Sequence, residues 1–135
     1  MQINMEFPGG ARVDARFDCF TVHTDQPAPS GLGAAPTPFA TFLASIATCA
    51  GIYVLGFCRQ RGIPADGIQI VQRTDQDPET GLVAKIYLDI HLPPEFPLKY
   101  QAAVIRAADQ CLAKKHLEHP PQVEVNAVTG EAAPA

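Results

Sequence analysis

No charged side chain occurs between Asp25 and Arg59. An uncharged run this long has to be tested first as a bilayer span, since a transmembrane helix needs about 20 mostly apolar residues. Its first part, Gln26 to Pro38, carries Pro27, Pro29, Gly31, Gly33, Pro36 and Pro38 and reads as a loop. The remainder, Phe39 to Cys58, has the length of a span. Against a span, Thr41, Ser45, Thr48 and Cys49 place small polar groups along it at helical spacing. No basic, signal-like region precedes it, and amphipathic strand patterns lie on both sides. The run therefore reads as the central helix of a soluble domain, with no membrane partner expected.

The ends of that helix are written in the sequence. Thr37 can cap its N-terminus, and Pro38 suits the first helical position, where a missing N–H costs nothing. Gly62 follows Arg59 and Arg61, which gives a C-terminal glycine and cations at the negative end of the helix dipole. Such a helix is about 36 Å long. A globule of this chain length has a radius of gyration of only about 14 Å. The helix must then cross the whole molecule, and it is apolar nearly all round, so every side needs cover. One chain has little material for that, which predicts a second copy and a homodimer.

The 135 residues fit one domain, 1–135, with the Ala-rich tail after Gly130 expected to fray. A hydrophobic content of 47% excludes disorder as the main state. A net charge of −4 and a pI near 5.4 argue against nucleic acid as a partner. Outside the helix, Ile3, Met5 and Phe7 alternate up to a turn at Pro8-Gly9-Gly10. Val13, Ala15 and Phe17 then alternate with Arg12, Asp14, Arg16 and Asp18, which predicts one apolar and one solvated charged face. A short third strand is expected at Phe20 and Val22, a fourth at Ile68 and Ile70, and a fifth from Leu82 to Leu92. A second helix is expected from about Pro97 to His116, and a last strand at Val123, Val125 and Ala127. Strands gathered before and after two helices predict an α+β fold.

Four cysteines, Cys19, Cys49, Cys58 and Cys111, are too few and too scattered for a secreted disulfide framework, in keeping with a cytoplasmic protein. Cys49 lies mid-helix on the ridge Thr37, Thr41, Ser45, Cys49, Tyr53, and Cys111 lies on the apolar face of the second helix. If those faces pack together, the sulfurs can meet with Cα atoms about 5.5 Å apart. The plain alternative is two small buried residues, since free cysteine is among the most buried types. Cys58 falls on the opposite side of the helix from Cys49, and Cys19 at a turn, so both read as structural or incidental.

The run Pro36-Thr-Pro-Phe-Ala-Thr-Phe-Leu-Ala-Ser-Ile-Ala-Thr-Cys-Ala-Gly51 resembles the central-helix signature of the OsmC/Ohr family, the osmotically induced and organic hydroperoxide resistance proteins. Ala108-Asp-Gln-Cys-Leu-Ala-Lys-Lys115 is similar to the family's second-cysteine motif, and Gly9-Gly10 and Thr24-Asp25-Gln26-Pro27 fit its early hairpin and pre-helix loop. The resemblance implies antiparallel sheets wrapped around a long central helix, a second helix packing on it, and an intertwined homodimer. It also implies reduction of a small-molecule hydroperoxide. Cys49 would be the peroxidatic thiolate, Cys111 the resolving thiol, and a dithiol the reductant, with no bound cofactor. An arginine of the early hairpin, Arg12 or Arg16, would activate Cys49.

The sequence also departs from the family. Many of its hydroperoxide reductases carry a glutamate just after the motif's proline, where Phe39 and Ala40 stand here, and no carboxylate occurs between Asp25 and Asp66. Leu112 occupies the place of a usual proline. Arg12 and Arg16 also read simply as members of a solvated strand face. A thiol in an apolar site needs help to ionise, because burial alone raises its pKa. These departures keep a second reading open, a non-catalytic dimer that binds an apolar ligand at its interface. Two weaker patterns carry nothing. His116 and His119 read as solvated rather than as metal ligands, and Gly31-Leu-Gly33 is too short for a phosphate loop.

Overall fold

A single helix, α1 (Pro38–Gln60), is the longest element of the computed structural model, in which residues 1–130 are described. The tail expected to fray lies outside the described residues. The ends of α1 are built as their residues dictate. Thr37 Oγ1 accepts the Ala40 N–H at 3.1 Å, a side-chain cap worth about 1 kcal/mol. At the other end Gly62 takes φ 63°, and the Ile63 N–H reaches back to the Cys58 carbonyl at 2.9 Å. The Gly62 N–H meets the Arg59 carbonyl, which completes a double-bonded C-terminal cap. At 23 residues α1 is about 34 Å long. It is long and apolar enough to cross a bilayer by length and composition. Only Ile46, Ala50, Val54, Phe57 and Cys58 on it are buried, while Phe39, Phe42 and Ile52 stand exposed.

The chain divides into two compact units, one of Met1–Leu43 with the described residues from Gln122 on, the other of Ala44–Pro121. The first holds β1 (Asn4–Gly9), β2 (Arg12–Phe17) and β3 (Phe20–Thr24) in an antiparallel sheet in that order. Gly10, at φ 59°, makes the tight β1–β2 turn, and Asp18, at φ 51°, makes the next one. The expected solvated face needs correcting at its centre. Asp14 is 5% exposed, because β2 is the middle strand and its carboxylate is enclosed by its neighbours. His23 Nδ1 lies 2.8 Å from Asp14 Oδ2, and an Arg12 guanidinium nitrogen donates to the same oxygen at 3.3 Å.

In the second unit, β4 (Gln69–Gln76) and β5 (Val83–His91) pair antiparallel. A short 3-10 turn, Leu98–Tyr100, leads into α2 (Gln101–Asp109), and α3 (Leu112–Glu118) follows. Val54, Phe57 and Cys58 of α1 pack with Phe96 and with Val104 and Ala108 of α2, and Ile70 and Ile90 of the sheet close on them. The α+β fold and the packing of a later helix on α1 thus stand as the sequence predicts.

Two elements differ. The helix expected from Pro97 to His116 is broken at Gln110–Cys111. The Gln110 and Cys111 N–H groups bond three residues back, to Ala107 and Ala108, and Cys111 then leaves helical geometry at φ −48°, ψ 128°. Apolar spacing continues across the break, so periodicity does not reveal it. The strand expected at Val123, Val125 and Ala127 is absent from the described residues. Val123 and Val125 are almost wholly exposed, and a strand forms only where another supplies ladder hydrogen bonds.

Candidate functional site

The Ala44–Pro121 unit brings two of the four cysteines together. Cys49 projects from the middle of α1 and is half-buried. Cys111 is fully buried at the break between α2 and α3, where it is the residue that caps α3 rather than a member of one continuous apolar face. Both are free thiols. The two side chains interact, Cys111 lowering the Cys49 pKa and Cys49 raising that of Cys111, as expected when Cys111 donates to an ionised Cys49. The Cys111 sulfur also lies 3.9 Å from the Ile46 carbonyl, one turn before Cys49. A thiolate is the stronger acceptor of the two, so the Cys111 proton turns to Cys49 once that sulfur carries charge.

The two thiols are polarised in opposite directions. The Cys49 pKa is lowered from the usual thiol value, chiefly because the Ala113 N–H points at its sulfur. Partial burial opposes that, while the Cys111 S–H and the Leu112 N–H add to it. Burial pushes the Cys111 thiol up, and its bond to Cys49 adds to the rise. One sulfur of the pair is therefore the easier to ionise and the other the harder. No arginine is among the groups that lower Cys49. The backbone N–H groups of Leu112 and Ala113 do what the sequence argument assigned to a cation. They were missed because the break that aims them at Cys49 leaves no mark in side-chain periodicity. The one available signal was Leu112 itself, a residue with an N–H where a proline would have none.

Cys111 already has the extended geometry required before a proline, and Leu112 is the first helical position of α3, where proline is tolerated. Leu112→Pro thus deletes one donor while α3 keeps its backbone path. Alkylation of Cys49 by iodoacetamide near pH 7 is expected to slow about threefold as its pKa rises. An unchanged rate would remove the Leu112 N–H from the account.

The remaining candidates sit elsewhere. Arg12 and Arg16 belong to the other unit. Arg12 is paired with Asp14, and the Arg16 Nε lies 3.3 Å from Glu6 Oε1. Arg12 also borders an open cavity of about 390 Å³, lined in part by Pro8, Gly10, Asp25, Pro29 and Leu32. Cys58 is buried in the apolar cluster, which raises its pKa, and Cys19 is exposed at the β2–β3 turn. His116 Nδ1 lies 2.8 Å from the Leu112 carbonyl, and among the described residues no three His, Cys, Asp or Glu side chains are grouped to hold a metal ion.

Comparison with known proteins agrees with this arrangement at the level of fold. A Psychrobacter arcticus 273-4 protein named for osmotic stress induction and a detoxification response superposes with a TM-score of 0.71 at 20% identity, over 85% of this chain and 86% of that one. An OsmC-like protein of Mycoplasma pneumoniae gives 0.67 at 16% identity, over 88% and 87%. An organic hydroperoxide resistance protein OsmC of Legionella pneumophila, also named a predicted redox protein and regulator of sulfide bond formation, gives 0.52 at 18%, over 87% and 89%. A search of curated proteins gave no match. The family model described as OsmC-like protein matches residues 31–126, a span that holds both Cys49 and Cys111, and the chain belongs to that family.

Proposed function

We propose that the protein is a thiol-dependent reductase of organic hydroperoxides in which Cys49 is the peroxidatic residue and Cys111 the resolving one. One observation carries the reading. A thiol lowered by backbone donors interacts with a second, buried thiol that is raised, and both are free. Family membership and the hydroperoxide resistance names of two structural relatives, from Jannaschia sp. CCS1 and Legionella pneumophila, support it. The Cys49 thiolate attacks the terminal peroxide oxygen, the O–O bond breaks, and the alcohol leaves with a proton. Cys49 is then a sulfenic acid. The Cys111 sulfur attacks the Cys49 sulfur and expels the oxygen as water, which leaves a Cys49–Cys111 disulfide. A dithiol returns both thiols by exchange and departs as its own disulfide. A cytoplasmic setting suits this cycle, because it keeps such thiols reduced between turnovers.

A steady-state assay tests the reading. With an aryl or fatty-acid hydroperoxide and a lipoyl-type dithiol, consumption is expected to saturate and to exceed by far that of free cysteine. Consumption no faster than free cysteine, with saturable binding of an apolar ligand, would favour the non-catalytic alternative instead.

The working form is proposed to be a homodimer. Ile52 on α1 is 58% exposed and Leu112 and Ile105 are 56% and 55% exposed, apolar surface that a second chain would cover. Ile52→Lys is expected to convert a dimer to a monomer in sedimentation equilibrium. A variant that stays dimeric at the same concentration places Ile52 outside the interface.

A further inference from the structure

The Leu112 and Ala113 N–H groups can serve Cys49 only if α3 is held at a fixed angle after the chain breaks at Gln110–Cys111. Few hydrogen bonds do that. The Gln110 and Cys111 N–H groups belong to the end of α2, and the Lys115 N–H bonds to the Cys111 carbonyl at 3.0 Å within α3. Across the break runs one side-chain link. The Lys114 ammonium of α3 donates to the Asp109 carboxylate, the last residue of α2. Lys114 has a second partner, Glu118 Oε1 at 3.5 Å, but that pair lies wholly within α3 and spans nothing. Both charges of the crossing pair are partly solvated, so neither is there to hold up a core. We propose that the Asp109–Lys114 ion pair is a positioning clamp that fixes α3 across the break and keeps the backbone donors of Leu112 and Ala113 on the Cys49 sulfur. This assignment rests on the reading of Cys49 as the reactive thiol, but its test does not require peroxide turnover.

The size of the effect is bounded. An exposed pair cannot bias an equilibrium by more than its own modest strength, so the shift in Cys49 ionisation is about half a unit and alkylation slows about threefold. Its sign is the informative part. Cys111 is the one ionisable side chain that enters the Cys49 shift, beside the α3 backbone. Removing the Asp109 charge would, by simple Coulomb action, make a nearby thiolate easier to form. Loss of a clamp makes it harder.

The experiment is the pH profile of Cys49 alkylation by iodoacetamide in the reduced full chain, followed by peptide mass. Asp109→Asn and Lys114→Gln are both expected to move the profile up by about half a unit. Glu118→Gln is expected to leave it in place. The swapped double variant, Asp109→Lys with Lys114→Asp, is expected to restore it. Asp109→Asn with an unchanged or lowered profile overturns the clamp, as does a Glu118→Gln variant that matches it. A clamp that behaves as stated in a protein that does not consume hydroperoxide would leave this inference standing and remove the peroxidase reading.

Discussion

Cys49→Ser is expected to abolish hydroperoxide reduction completely, while Cys111→Ser is expected to stop after a single turnover. The difference follows from the opposite polarisation of the two sulfurs. The Ala113 and Leu112 N–H groups lower Cys49, whereas for Cys111 burial outweighs the N–H groups of Lys114 and Ala113, so Cys49 is the easier of the two to ionise. A serine there is not ionised at neutral pH and is a far weaker nucleophile. Cys111 is raised by its burial, and in the proposed cycle it would supply a proton and then a sulfur rather than the first attack. Its serine variant keeps a hydroxyl donor beside Cys49, so the first step survives and a sulfenic acid accumulates where a 1,3-dione traps it. Retained turnover in Cys49→Ser would place the chemistry elsewhere. Cys19 and Cys58 then become the candidates, and neither has this environment, one being exposed at a turn and the other raised by burial.

The largest loss of stability is expected from Phe57→Ala, about 3 to 4 kcal/mol per chain. Phe57 is 8% exposed, meets the Tyr100 ring edge-on at 5.8 Å, and carries the Arg61 guanidinium 3.7 Å over its face. It joins α1 to the cluster that contains Val104 and Ala108 of α2. Truncation loses the ring's burial and leaves a cavity that this cluster cannot close, since Val104 and Cys58 beside it are already fully buried. A domain is stable by about 5 to 15 kcal/mol, so the variant sits near its threshold. The check is urea unfolding at one protein concentration for both proteins, which holds the contribution of any self-association constant. A loss below about 1 kcal/mol with an unchanged denaturant slope would mean that the ring is not part of the core. The same packing has a functional consequence. α2 leads directly to Cys111, so the cluster that seats α2 on α1 also sets how Cys111 approaches Cys49.

Much of this is legible in the sequence, and the failures share a cause. Thr37, Pro38 and Gly62 mark the ends of α1 because caps are local chemistry, and the observed hydrogen bonds use those residues. The apolar spacing around Cys49 and Cys111 makes their meeting possible, but Cys111 reaches Cys49 from the α2–α3 break rather than from a helical face. The break at Cys111 is invisible because the apolar spacing of α2 runs on past it. Asp14 reads as solvated from strand alternation alone, whereas its position on the middle strand buries it against His23 and Arg12. Backbone donors escape any reading based on side-chain types, which is why the sequence argument sought a cation for Cys49. The valines at 123 and 125 alternate as a strand should, yet alternation supplies no partner to pair with.

In the proposed cycle the sulfenic acid formed at Cys49 is resolved by Cys111 of the same chain. Peptide mapping after addition of one equivalent of an organic hydroperoxide to the fully reduced protein tests it most directly. The account predicts one disulfide per chain, joining the peptide that contains Cys49 to the one that contains Cys111, with Cys19 and Cys58 recovered as free thiols. Cys49 and Cys111 recovered as free thiols, or a bridge that joins either of them to Cys19 or Cys58, would contradict it.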